Sequence, residues 1–124
     1  MSPTRARAVG VLGAVALVVG IAAFVAAAGE PLTYPWGVRL WRLVHMNMLG
    51  ALLTICGAAG ALWAARARSR NGAIVVGLWF GLLAVLLLMT LGSEANLTGG
   101  RGDTLSMLLA MTTGPLALAL TPEP

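Results

Sequence analysis

Four stretches of this chain carry no charged side chain, at 8–28, 43–65, 73–92 and 104–120. Charge is confined to the segments between and beyond them. A helix that crosses a bilayer needs about 20 predominantly apolar residues. The first three stretches meet that length. The fourth, "TLSMLLAMTTGPLALAL", is shorter and contains Gly114-Pro115. Proline removes a backbone donor, so a kink is expected near the end of that helix. Neighbouring helices tolerate such a break in a membrane bundle. Charged residues make up 10% of the chain, against about 25% for a soluble domain. So little charge cannot cover a solvated surface. The expected fold is all-α, an integral membrane four-helix bundle forming one domain over 1–124.

The connections sort by charge. All eight basic residues are arginine. Arg5 and Arg7 precede the first helix, and Arg66, Arg68 and Arg70 fill the link between the second and third. These five fall on one side if the helices span, against Arg39, Arg42 and Arg101 on the other. The positive-inside bias then sets both termini in the cytoplasm, N-in and C-in, for a multi-pass protein of a bacterial plasma membrane. Tyr34, Trp36 and Trp41 lie about the outer end of helix two, where an aromatic belt is expected, and Trp63 marks its inner end. Asn71-Gly72 is expected to make a turn that closes the arginine-rich link. The start of the chain also has features of a signal peptide, with small residues near Ala28. A signal core is usually about 7–15 residues. The uncharged run here is longer, which favours a retained helix. Arginine without lysine, amid abundant Ala, Gly and Leu, suits a GC-rich genome such as that of an actinobacterium. The net charge of +4 is dispersed between apolar runs, so no nucleic-acid partner is expected.

Within lipid, helices associate through close packing of small residues and interhelical hydrogen bonds. Helix two offers Asn47, Gly50, Thr54, Gly57 and Ala61 at steps of three and four, which share a face. Helix three offers Gly77-xxx-Gly81, helix one Ala16-xxx-Gly20 and helix four Ala110-xxx-Gly114. These are the expected packing positions.

The segment "GEPL", the helix "NMLGALLTICGAAGALWAA" and the stretch "SEANLTGG" before a short last helix give the chain a recognisable outline. It resembles a family of small actinobacterial four-helix membrane proteins of unknown function. The similarity covers most of 29–120 and is strongest at Asn47 and at Ala95-Asn96-Leu97. Thr104 and Ser106 stand at the start of helix four, where the family pattern would have an asparagine. The resemblance implies four helices and no reaction.

Chemistry at membrane depth needs ionisable or coordinating groups there. The spans carry only threonines, Cys56, Ser106 at the start of helix four, and His45 and Asn47 near one end of helix two. A single cysteine excludes an intramolecular disulfide and a CxxC site. Acid–base and nucleophilic catalysis need paired groups within hydrogen-bond reach. On one helix, Cys56 and His45 would stand roughly 16 Å apart along the axis. No enzyme activity is expected. His45 with Met48, three residues on, is the one candidate metal pair, for copper or as a haem ligand. Met46 would turn about 100° away. The simpler reading makes His45 a half-polar boundary residue and the methionines gap fillers, with no cofactor. "RGD" at 101–103 reads as a chance match whose flanking glycines serve a turn, and "NLT" at 96–98 is a glycosylation sequon only in a eukaryotic secretory pathway. What remains is an accessory, scaffold or assembly subunit acting through helix contacts, with a membrane-protein partner or further copies of itself. The alternative is a small oligomeric transporter or channel.

The charge pattern predicts the orientation directly. In a Cys56-free background, a cysteine at Ser69 should be shielded from an impermeant thiol reagent in intact cells. One at Thr98 should react. The reverse labelling would overturn the topology.

Overall fold

The computed structural model describes residues 1–28, 38–40, 44–90 and 102–121, with side chains left out for 38–40, 44–46, 90 and 102–103. The described chain is helical apart from one small hairpin. In order it runs α1 (Pro3–Ala26), β1 (Val38–Leu40), β2 (Val44–Met46), α2 (Met48–Ala67), α3 (Arg70–Thr90) and α4 (Gly102–Leu120). Three helices, α1, α2 and α3, are long and apolar enough to cross a membrane; α4 is shorter and also apolar. At about 1.5 Å per residue, α4 with its 19 residues is roughly 28 Å long.

Most helix boundaries set by charge move once the caps are seen, while the end of α4 stays at Leu120. Helix α1 begins at Pro3 rather than at 8, because Ser2 is its N-cap and proline suits the first turn. It runs through Arg5 and Arg7, since a charged side chain limits what lipid will cover without breaking a helix. Helix α2 begins at Met48 rather than at 43. Asn47 is its N-cap, with Oδ1 accepting from the Gly50 N–H at 2.8 Å. Residues Val44–Met46 are strand instead, paired antiparallel with Val38–Leu40. The link between α2 and α3 shrinks to Arg68 and Ser69. The N–H of Ser69 donates to the Ala64 carbonyl at 2.9 Å and that of Arg68 to Ala65 at 3.2 Å. This pair is the Schellman closure, with Arg68 in the left-handed region at φ 52° where glycine is usual. Ser69 then caps α3, its Oγ accepting from the Gly72 N–H at 2.9 Å. Asn71 and Gly72 therefore lie in the first turn of α3, and the turn expected of them is replaced by the Arg68-Ser69 pair. Pro115 falls inside α4, buried, and the helix continues to Leu120.

The helices pack around a square. Helix α1 packs most extensively on α2 and α3 on α4, with α2–α3 and α1–α4 closing the ring. The buried face of α1 is Ala6, Val9, Gly13, Ala16, Gly20 and Ala23, at alternating steps of three and four. A β-carbon built at Gly13 would lie 2.9 Å from Ala61 Cβ and 3.2 Å from both the Ala58 carbonyl oxygen and the Leu62 nitrogen. One at Gly20 would lie 2.8 Å from Ile55 Cγ1. The two backbones thus touch at these points. Large apolar side chains take the opposite side: Val11, Val15, Val18 and Val25 on α1, and Leu78, Leu82, Val85, Leu88 and Met89 on α3 are exposed. Met89 reaches 80% exposure, while Ala51, Ala58, Ala61 and Ala64 of α2 show none. On α1 and α2 the inner face is mostly small, whereas α3 and α4 also bury Phe80, Leu83, Leu87, Leu108 and Met111.

These contacts predict which glycines tolerate bulk. Gly13→Leu would press on the α2 backbone, and Gly77→Leu would meet Leu116 and the Thr112 carbonyl. Overpacking of this kind costs about 1–3 kcal/mol. Each variant should unfold at clearly lower temperature in detergent, and Val18→Leu on the outer face should not. Equal unfolding temperatures would refute the contact.

Candidate functional site

Two regions concentrate polar groups among the described residues, one at each end of the bundle. At the hairpin end, β1 and β2 pair with Val38 opposite Met46, Arg39 opposite His45 and Leu40 opposite Val44. His45 is therefore a strand residue, separated from α2 by the Asn47 cap. The expectation that His45 and Met48 share a helix face is corrected, because Met48 opens the helix and His45 precedes it. The axial distance reckoned from His45 to Cys56 along one helix likewise does not apply. Tyr34, Trp36, Trp41, Arg42, Glu30, Glu94, Arg101, the 96–98 tripeptide and the family-like segments at 29–32 and 93–100 lie outside the described residues. The side chain of Asp103 lies outside them too.

The packing residues fall on several interfaces. Asn47, fully buried, terminates α2 rather than lying along it. Gly50 and Thr54 are buried, and the Thr54 hydroxyl donates to the Gly50 carbonyl at 2.9 Å. Gly57 faces α3: a β-carbon there would lie 2.6 Å from Phe80 Cζ and 2.8 Å from Trp79 Cδ1. Its absence lets the Trp79 indole reach across, where Nε1 donates to the Leu53 carbonyl at 3.0 Å. Thus α2 uses two adjacent small faces, one toward α1 and one toward α3. Gly77 and Gly81 both face α4, against Leu116 and Thr112. Ala16 and Gly20 lie on the α1 face that meets α2. The Ala110-xxx-Gly114 pair divides. Gly114 receives Leu12 of α1, with Leu12 Cδ1 2.7 Å from where a β-carbon would stand, and Ala110 is exposed.

The other end gathers arginines. Arg5 Nη1 donates to the Leu118 carbonyl at 2.9 Å and also to that of Thr121. Arg70 Nε donates to the Ala119 carbonyl at 2.7 Å. Two helix N-termini thus supply cations to the C-terminus of α4. The last carbonyls of a helix lack intrahelical donors and carry the negative end of its dipole, so guanidinium groups suit them. Together with Met1 these residues line a cleft of about 440 Å³. Arg7, Arg66 and Arg68 at the same end are exposed and line a second groove, of about 570 Å³, between α1 and α2. By charge pattern alone, all five arginines read as orientation signals. That Arg5 and Arg70 also cap α4 depends on which helices are neighbours, which no local signal encodes. Among the described residues, no group of three or more His, Cys, Asp or Glu comes together to hold a metal.

The two capping arginines should matter to stability and the third should not. A hydrogen bond from a charged donor is worth about 1.5–3 kcal/mol, less where partly exposed. Arg5→Gln and Arg70→Gln should each lower the unfolding temperature in detergent. Arg7→Gln, which makes no such bond, should leave it unchanged. No family model, curated protein or solved structure matches this chain.

Proposed function

We propose that the chain is a multi-pass plasma-membrane protein with both termini in the cytoplasm. It works as an accessory, scaffold or assembly subunit through helix–helix contacts. The clustering of Arg5, Arg7, Arg66, Arg68 and Arg70 at one end supports the orientation by the positive-inside bias. The packing of one face of α1 on α2 supports its belonging to the bundle.

One observation carries the helix-contact reading. On α1, α2 and α3 the glycines that lie closest to other helices are already enclosed within the bundle. Helix α4 differs. Ser106, Ala110, Thr113 and Ala117 follow one another at steps of four, three and four, and all are exposed. The Thr113 hydroxyl donates to the Leu109 carbonyl at 2.8 Å, so it presents little hydrogen-bond demand to a neighbour. The outer faces of α1 and α3 are instead rich in Val and Leu. A small outward face allows a partner backbone to approach α4 closely, as the inner small faces allow α1 to approach α2.

Ala110→Ile with Ala117→Ile should abolish a stoichiometric association in native membranes, or self-association in mild detergent. The unfolding temperature of the isolated protein should stay the same. Association that survives both substitutions would refute the α4 face. Ion or solute flux through liposomes holding the pure protein would favour the transporter or channel instead.

A further inference from the structure

We propose that the groove between α1 and α2 at the arginine end is a binding site for one acidic phospholipid. This rests on the membrane reading above and adds a ligand to it. The two arginine populations at this end differ in what they touch. Arg5 and Arg70 are committed to the carbonyls of α4. The side chains of Arg7, Arg66 and Arg68 make no hydrogen bond or ion pair with any described residue. All three are exposed and border the same groove. No Asp or Glu lines that groove. Its mouth is therefore a set of three guanidinium groups without a protein counter-charge among the described residues.

The rest of the groove is apolar. Its wall is Ala6, Gly10, Val11 and Ala14 on α1, and Leu62 and Ala65 on α2. Helix α1 runs away from the charged end as residue number rises from Arg7 to Ala14. Helix α2 is antiparallel, so it runs away from that end as number falls from Arg68 to Leu62. Both walls thus pass from cation to alkyl in the same direction, over about 10 Å from Arg7 to Ala14. That polarity matches an amphiphile whose anionic phosphodiester lies at the interface and whose acyl chain enters the bilayer. The shallowness has a cause in the fold. A β-carbon at Gly10 would lie 3.3 Å from Ala65 Cβ, so α1 and α2 approach closely there and the groove between them is shallow. Guanidinium forks suit phosphate oxygens in a bidentate manner. A soluble phosphate shares the headgroup chemistry but has nothing to place along Val11, Ala14 and Leu62. The proposal therefore commits to the lipid.

The test uses full-length protein in mild detergent, with retained lipid counted by native mass spectrometry. Phosphatidylglycerol and phosphatidylcholine of the same acyl chains are added at equal concentration. Phosphatidylglycerol should be retained preferentially, as a one-to-one adduct. An arginine near an anionic headgroup contributes roughly fivefold in affinity, so each of Arg7→Gln, Arg66→Gln and Arg68→Gln should weaken retention by about that factor. Ala14→Trp keeps every charge and fills the apolar channel, and it should remove the adduct while leaving the unfolding temperature unchanged. Equal retention of the two lipids would overturn the site. So would a phosphatidylglycerol adduct that survives Ala14→Trp, which would mean surface attraction alone. An equal affinity for glycerol 1-phosphate would overturn the choice of a lipid. Failure of the membrane reading is separately visible. A protein that stays folded and monomeric in buffer without detergent would refute that reading, whatever the lipid result.

Discussion

Gly13 has Ala58, Ala61 and Leu62 so close that a single added carbon would overlap them. That contact sets the terms for the rest of the bundle. Helices in lipid gain almost nothing by hiding apolar side chains from one another, because the surrounding acyl chains are equally apolar. What remains is dispersion between atoms at contact distance, which is small per pair and falls quickly with a gap. Only small residues bring two backbones near enough to use it. Once α1 and α2 meet through glycine and alanine, Val, Ile and Leu are turned outward. The exposed face of α1 follows from its inner one.

In a bilayer the helix ends would face the same constraint. A helix terminus leaves backbone groups without partners, and hydrocarbon supplies none. This chain answers at several described ends with a specific device. Ser2, Asn47 and Ser69 accept from the first turns of α1, α2 and α3. A Schellman closure at Arg68 ends α2. For α4 the donors come from elsewhere, as Arg5 and Arg70 reach its last carbonyls. Threonines within the spans satisfy themselves: Thr54 and Thr112 donate to carbonyls four residues back. Thr112 can then turn its methyl group to Gly81, where a β-carbon would lie 3.2 Å away. The arginine end thus combines structural and spare cations, and the spare ones sit over an apolar groove.

The hairpin shows how a solvent-based reading can misplace a residue. The run from 43 is uncharged, so periodicity and hydropathy extend the helix back to it. Asn47 interrupts that inference. An asparagine side chain competes for backbone donors and favours a cap over a helix interior. Its Oδ1 takes the Gly50 N–H, and His45 is left on a strand opposite Arg39. The cap was available in the sequence as an Asn before an apolar run. Its spacing to Gly50 and Thr54 fits a packing face equally well.

By itself the sequence determined four apolar segments, the absence of charge within them, and the collection of arginines in two segments that an antiparallel pair brings together. Those are properties of the solvent a segment tolerates, and they are local. It also marked Gly77, Gly81 and Gly57 as positions where a helix is thin. Only the tertiary structure decided what enters each thin place: Leu116 and Thr112 for the α3 pair, Phe80 and Trp79 for Gly57, Leu12 for Gly114. It also separated Ala110, left exposed, from Gly114, which is packed. A small residue permits close approach on its face without naming the partner. The choice depends on the rotation and order of all four helices at once. The division of the arginines is of the same kind. Arg5 caps α4 while Arg7 does not, because two residues along a helix is a turn of about 200°, and only the neighbour on that side can use the charge.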